Sequence, residues 1–121
     1  RAVVAEGCML RDSEIYESVI GLRSIIGPDV CIKRTVVMGA DVYETPERKA
    51  ENRRLGQPNI GIARGCTIES AIIDKNARIG EGVTIRAHPP EDEMVETESY
   101  VIRDGIVVVL KDAIIPDGTV I

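Results

Sequence analysis

The sequence predicts an all-β fold, a left-handed parallel β-helix built on a hexapeptide repeat with about five coils, and three observations carry that expectation. Aliphatic residues recur at steps of six or five along most of the chain. A small or slim residue stands two positions before nearly every one of them. Valine and isoleucine dominate while phenylalanine and tryptophan are absent, which suits a narrow core with no room for stacked rings. A helical period of about 3.6 fits poorly, and simple alternation leaves the recurring six unexplained. Without the repeat, the same strand-rich composition would read as a β-sandwich.

Three corners per turn place the first coil at Val4, Leu10 and Ile15, and the second at Ile20, Ile26 and Ile32. The third falls at Val37, Ile62 and Ile68, the fourth at Ile73, Ile79 and Ile85, and the fifth at Val109, Ile115 and Ile121. Each hexapeptide supplies one flat face and one corner of a triangular prism, and the corner side chains fill its axis. The slim residues that leave them room are Cys8, Ser13, Ser18, Ser24, Val30, Thr35, Cys66, Ala71, Ala77, Val83, Ala113 and Thr119, and glycine follows the corner at Gly21, Gly27 and Gly80. The five-residue step recurs at one edge, from Ile15 to Ile20, Ile32 to Val37 and Ile68 to Ile73, with Leu10 to Ile15 as a further short step. Left-handed coiling opposes the usual right-handed crossover preference, so uniform core packing has to compensate for it. Strand spacing sets a rise of about 4.8 Å per coil.

Two excursions interrupt the repeat. The first, about Gly39 to Asn59, contains TPERKAENRRLG, in which Thr45 suits a helix cap, Pro46 the first helical position, Glu47 the first turn and Gly56 the end, so a short surface helix is expected. Its Arg48, Lys49, Arg53 and Arg54 suit a phosphate, an acidic neighbour or simply solvent. The second excursion, about Arg86 to Val108, opens with the acidic, proline-broken HPPEDEMVETES, a loop by composition. It continues as YVIRDGIVVVLK, where Asp104-Gly105 between two β-rich runs predicts a two-residue hairpin, with the chain rejoining the prism at Val109.

At 121 residues the chain is expected to be one domain, 1–121. A formal charge of -5, without a basic cluster interleaved with aromatics, argues against nucleic-acid binding. No apolar stretch approaches membrane-spanning length, and neither a signal peptide nor a membrane partner is expected. The chain opens on Arg1, already in register, and is expected to be part of something longer. Cys8, Cys31 and Cys66 are odd in number and lack the close pairing of a zinc site. Two of them occupy the slim slot beside a corner, which favours buried thiols and a reducing compartment.

The residues offer little catalytic chemistry. No Gly-rich phosphate loop, serine-nucleophile motif or paired-carboxylate metal site stands out, so neither a catalytic nor a metal-binding residue is assigned. Hexapeptide β-helices include acyltransferases that use a histidine base and carbonic anhydrases that hold zinc with three histidines, whereas this chain has only His88, in a Pro-rich loop. His88 as an acyl-transfer base is one alternative, and an exposed loop histidine is the other. Lys75 and Lys111, two of only four lysines, each lie two residues after a corner, at Ile73 and Val109. The phasing stacks them on one face, about one coil apart, where an anion between them would reverse their repulsion. Ammonium groups suit a phosphate as point charges, and the nearby Arg78 offers a planar fork. Two solvated lysines, offset by Asp74 and Asp112, form the competing reading.

The segments SVIGLRS (18–24), MGADVYET (38–45), AIIDKNARIG (71–80) and DGIVVVLKDAIIPDG (104–118) resemble the C-terminal β-helix domain of the ADP-glucose pyrophosphorylase, or glucose-1-phosphate adenylyltransferase, family, nearest to its plant and cyanobacterial type. The blocks run in order across nearly the whole chain, while RAHPPEDEMVETE (86–98) and QPNIGIA (57–63) match less well. The resemblance implies a regulatory and assembly domain of an enzyme that makes ADP-glucose and pyrophosphate from ATP and glucose 1-phosphate for glycogen or starch. It implies that Lys75 and Lys111 belong to an activator site for 3-phosphoglycerate or another sugar phosphate, opposed by inorganic phosphate. It further implies a homo- or heterotetramer, and a preceding N-terminal catalytic domain that carries the ATP site, the Mg²⁺ ligands and part of the effector site. This chain alone is therefore expected to be inactive and to need no cofactor. The expected location is the cytoplasm in a bacterium or the plastid stroma in a plant.

Overall fold

The structure, a computed structural model, describes residues 2–121. β1 (Ala2–Val4), β2 (Met9–Leu10) and β3 (Glu14–Tyr16) make the first coil, and β4 (Ser18–Ile20), β5 (Ile25–Ile26) and β6 (Cys31–Lys33) the second. β7 (Val36–Val37) opens the third coil; α1 (Pro46–Leu55) intervenes before β8 (Gly61–Ile62) and β9 (Thr67–Glu69) complete it. β10 (Ala71–Ile73), β11 (Arg78–Ile79) and β12 (Thr84–Ile85) make the fourth. After β13 (Val95–Glu96) and β14 (Tyr100–Arg103), the fifth coil consists of β15 (Ile106–Val109), β16 (Ile114–Ile115) and a bridge from Val120 to Thr84.

Every third strand pairs in parallel, which gives three faces: β1-β4-β7-β10-β15, β2-β5-β8-β11-β16 and β3-β6-β9-β12. The expected corners are the stacked residues. Val4, Ile20, Val37, Ile73 and Val109 align on the first face. Leu10, Ile26, Ile62, Ile79 and Ile115 align on the second, and Ile15, Ile32, Ile68 and Ile85 on the third. From the second coil onward these corners are 6% exposed or less, whereas Val4 and Leu10, on the terminal coil, are 44% and 39% exposed. The slim residues Ser18, Ser24, Val30, Thr35, Cys66, Ala71, Ala77, Val83 and Ala113 are buried beside them.

Backbone sterics explain the mixture of steps. A corner turns where one residue adopts positive φ, a conformation that side chains other than those of glycine, asparagine and aspartate disfavour. Where the step is six, that residue lies three after the corner, at Gly7, Arg23, Asp29, Gly65, Asn76, Gly82, Asp112 and Gly118. Where the step is five, it lies two after, at Asp12, Glu17, Arg34 and Ser70. The odd short step from Leu10 to Ile15 is thereby accounted for: Asp12 turns early, at φ 42°.

The first excursion is the predicted helix. The Thr45 hydroxyl accepts from the Arg48 N–H at 3.1 Å, Pro46 takes the first position, and Gly56 closes α1 at φ 70°. The second departs from expectation in two ways. Its acidic half is not only loop, because β13 pairs antiparallel with β14. The hairpin through Asp104 (φ 53°) and Gly105 (φ 81°) is present, but its return strand β15 is itself a prism strand, paired with β10 from Ala71↔Val107 onward. The chain rejoins the first face before Val109, and β14 and β13 extend that face to seven strands.

Candidate functional site

The corner after the first face carries both lysines. The β10–β15 register aligns Ile73 with Val109, and beyond it the Asp112 N–H donates to the Lys75 carbonyl at 3.0 Å, so Lys75 and Lys111 occupy equivalent places on consecutive coils. Both side chains are exposed. The local sequence enforces the turn, because Asn76 and Asp112 take the left-handed conformation there at φ 61° and 62°, one that asparagine and aspartate tolerate.

A carboxylate from the first excursion meets this corner. Asp41 Oδ1 lies 3.4 Å from the Lys75 Nζ. Asn76 fixes that carboxylate with both ends of its amide: Nδ2 donates to Asp41 Oδ2 at 3.0 Å, and Oδ1 accepts the Asp41 N–H at 2.9 Å. The Asn76 amide, then Lys75 by hydrogen bond and charge, hold the Asp41 carboxyl below its ordinary value, and the charge of Lys111 adds to the effect. Asp74 instead accepts the Lys75 backbone N–H at 2.6 Å, so the side-chain counter-charge to Lys75 is Asp41 rather than its sequence neighbour.

Arg78 lies one strand further along the coil and is largely buried, 11% exposed at the side chain. Its Nη1 donates to Glu44 Oε2 at 2.9 Å and to the Pro58 carbonyl at 3.0 Å. Glu44 is 4% exposed and also accepts from Asn52 Nδ2 and the Ile60 N–H, each at 2.6 Å. Burial alone would raise the Glu44 carboxyl, but those two donors and the guanidinium outweigh it and hold the group low. Asn52, fully buried on α1, completes the cluster by donating to Asn59 Oδ1 at 3.0 Å and accepting from Gln57 Nε2 at 2.7 Å. The cluster seats the excursion on the second face. Between it and the lysine corner runs an open groove of about 400 Å³ that Asp41, Arg48, Asn76, Arg78 and Asp112 line.

The remaining candidates take other places. Arg54 bonds Glu51 through both guanidinium arms, and Arg48 approaches Glu44 at 4.0 Å. Lys49, Arg53, Glu81 and Asp117 all line an open cleft. His88 is half-buried rather than exposed, and its Nε2 is enclosed without a hydrogen-bond partner. Burial raises the Cys66 thiol, which donates to the Gly80 carbonyl at 3.0 Å; Cys8, Cys31 and Cys66 are all free. Asp41, Asn76, Glu44 and Asn52 were not singled out from the sequence. The one available signal was Asn76 at a turn position where asparagine is favoured.

Compared with known families, the model of the GLGC left-handed parallel beta-helix domain matches residues 1–120. The chain is also similar to the glucose-1-phosphate adenylyltransferase small subunit, chloroplastic/amyloplastic, of Triticum aestivum, with 46% identity over 121 residues. That alignment takes in 99% of this chain and 26% of the wheat protein, so the chain spans about a quarter of that relative's length.

Proposed function

The chain belongs to the GLGC left-handed parallel β-helix domain family, and from that premise we propose that it is the regulatory and subunit-assembly part of a glucose-1-phosphate adenylyltransferase. The parent converts ATP and glucose 1-phosphate to ADP-glucose and pyrophosphate, and its active site lies on the part this chain does not contain. Lys75 and Lys111 receive the phosphate of an activator, 3-phosphoglycerate or another sugar phosphate, and inorganic phosphate competes for the same place. Their equivalent backbone positions on consecutive coils support this reading, because an anion received by both ammoniums offsets the repulsion between them.

The proposed parent assembles as a homo- or heterotetramer to which the prism contributes contacts, and a plant parent works in the plastid, as the wheat relative's name indicates for that protein. The parent's Mg²⁺ belongs with its catalytic part. Arg78 serves the site from behind, by seating the excursion that brings Asp41 to the corner.

The test uses the full-length parent. Lys75→Ala and Lys111→Ala should each raise the activator concentration for half-maximal stimulation about tenfold, the size of one charge-assisted contact at an exposed site, and leave the unactivated rate within twofold. Activation that persists unchanged in both variants would remove the site assignment.

A further inference from the structure

Building on the anion site proposed above, we infer that Asp41 is an internal competitor, a carboxylate held over Lys75 that an incoming phosphate group must displace. The geometry is that of a presented group rather than a wandering side chain. Asn76 spends both ends of its amide on Asp41, one on the backbone N–H and one on Oδ2, which leaves Oδ1 turned to the Lys75 ammonium at 3.4 Å. Asn76 is itself fixed, at φ 61°, with its own N–H donating to the Gly39 carbonyl at 3.1 Å.

A phosphate oxygen seeks the same Nζ hydrogens that Asp41 Oδ1 now faces, and the two anions repel each other at that separation. Phosphate affinity is therefore set by the difference between two contacts. Asp41 is also the first charged residue of the excursion that leads through Glu44 to α1, so its release marks the excursion as well as the lysine.

Inorganic phosphate titrated calorimetrically into the full-length parent at fixed ionic strength, with hydrogen exchange followed in parallel, tests this. Asp41→Asn should bind phosphate about two- to fivefold more tightly, the range expected when an exposed ion pair no longer competes. Asn76→Gly keeps the left-handed turn, removes the clamp and should shift affinity in the same direction. Hydrogen exchange at the Asp41 to Glu44 amides should change on saturation of the natural protein. Glu14→Gln on the first coil removes equal charge and should leave affinity unchanged; a gain equal to that of Asp41→Asn would overturn the inference in favour of net charge.

Lys75→Ala separates the two levels of the argument. If it weakens phosphate binding while Asp41→Asn tightens nothing, the competitor is overturned and the anion site stands. If neither the full-length parent nor its Asp41→Asn variant binds phosphate, or binding ignores Lys75→Ala, the anion-site reading fails and this inference fails with it.

Discussion

Arg78 and Glu44 form a buried ion pair, 2.9 Å apart, whereas the other ion pairs among the described residues are substantially exposed on at least one side. Removing one partner of such a pair leaves the other charged and dehydrated, which costs more than the intact pair contributes. Arg78→Met should accordingly destabilise the fold by about 3 kcal/mol in urea unfolding at neutral pH. The pH dependence has a definite sign. The folded-state carboxyl of Glu44 is held below its ordinary 4.5, so its stabilising effect is complete above that value and disappears as pH falls through the folded-state value. The gap between natural chain and variant should therefore narrow on acidification, and a gap that widened below pH 4.5 would contradict the assignment. None of this was legible in the sequence. Arg78 and Glu44 are 34 residues apart, and Asn52 sits in a helix polar on every side, so neither period nor composition marks them as buried.

At the scale of elements, what was legible is what local chemistry decides. Thr45, Pro46 and Gly56 define α1 through capping, backbone angle and chirality, all of which act within a few residues. Asp104-Gly105 defines the hairpin in the same way, with both residues at positive φ. β13 was missed because only two of its residues pair, and β14, itself ordered by the prism, supplies the partner. The partial burial of His88 was missed for a related reason: its backbone N–H donates to the Gly105 carbonyl across the excursion. Gly105 combines both influences. At φ 81° an added Cβ would press into the His88 carbonyl and approach Pro90, so Gly105→Ala joins backbone strain to a steric clash. Hydrogen exchange at Tyr100–Arg103 amides should accelerate tenfold or more, about 1.4 kcal/mol of local stability, while α1 stays as protected as before. Uniform protection would mean that the turn does not hold the ribbon.

For the whole molecule, the aliphatic repeat was the most legible feature, because each coil rests on its predecessor with the same residues in contact. Ile15, Ile32, Ile68 and Ile85 form one column, and the parallel columns leave no separate core to be assembled from distant parts. That column works like a reading frame. One extra residue between Gly82 and Val83 would turn Val83 and Ile85, both 0% exposed, off the axis and carry the change into whatever follows. An alanine inserted there should cost more than about 4 kcal/mol or abolish folding, judged by urea midpoint and circular dichroism. The same alanine between Glu93 and Met94, two exposed residues of the second excursion, should cost less than about 0.5 kcal/mol. Excursions are thus the punctuation of this chain, the places where the count can change and the frame be restored. Length differences among its relatives should gather at those two breaks, while the stretches between them keep their spacing to the residue.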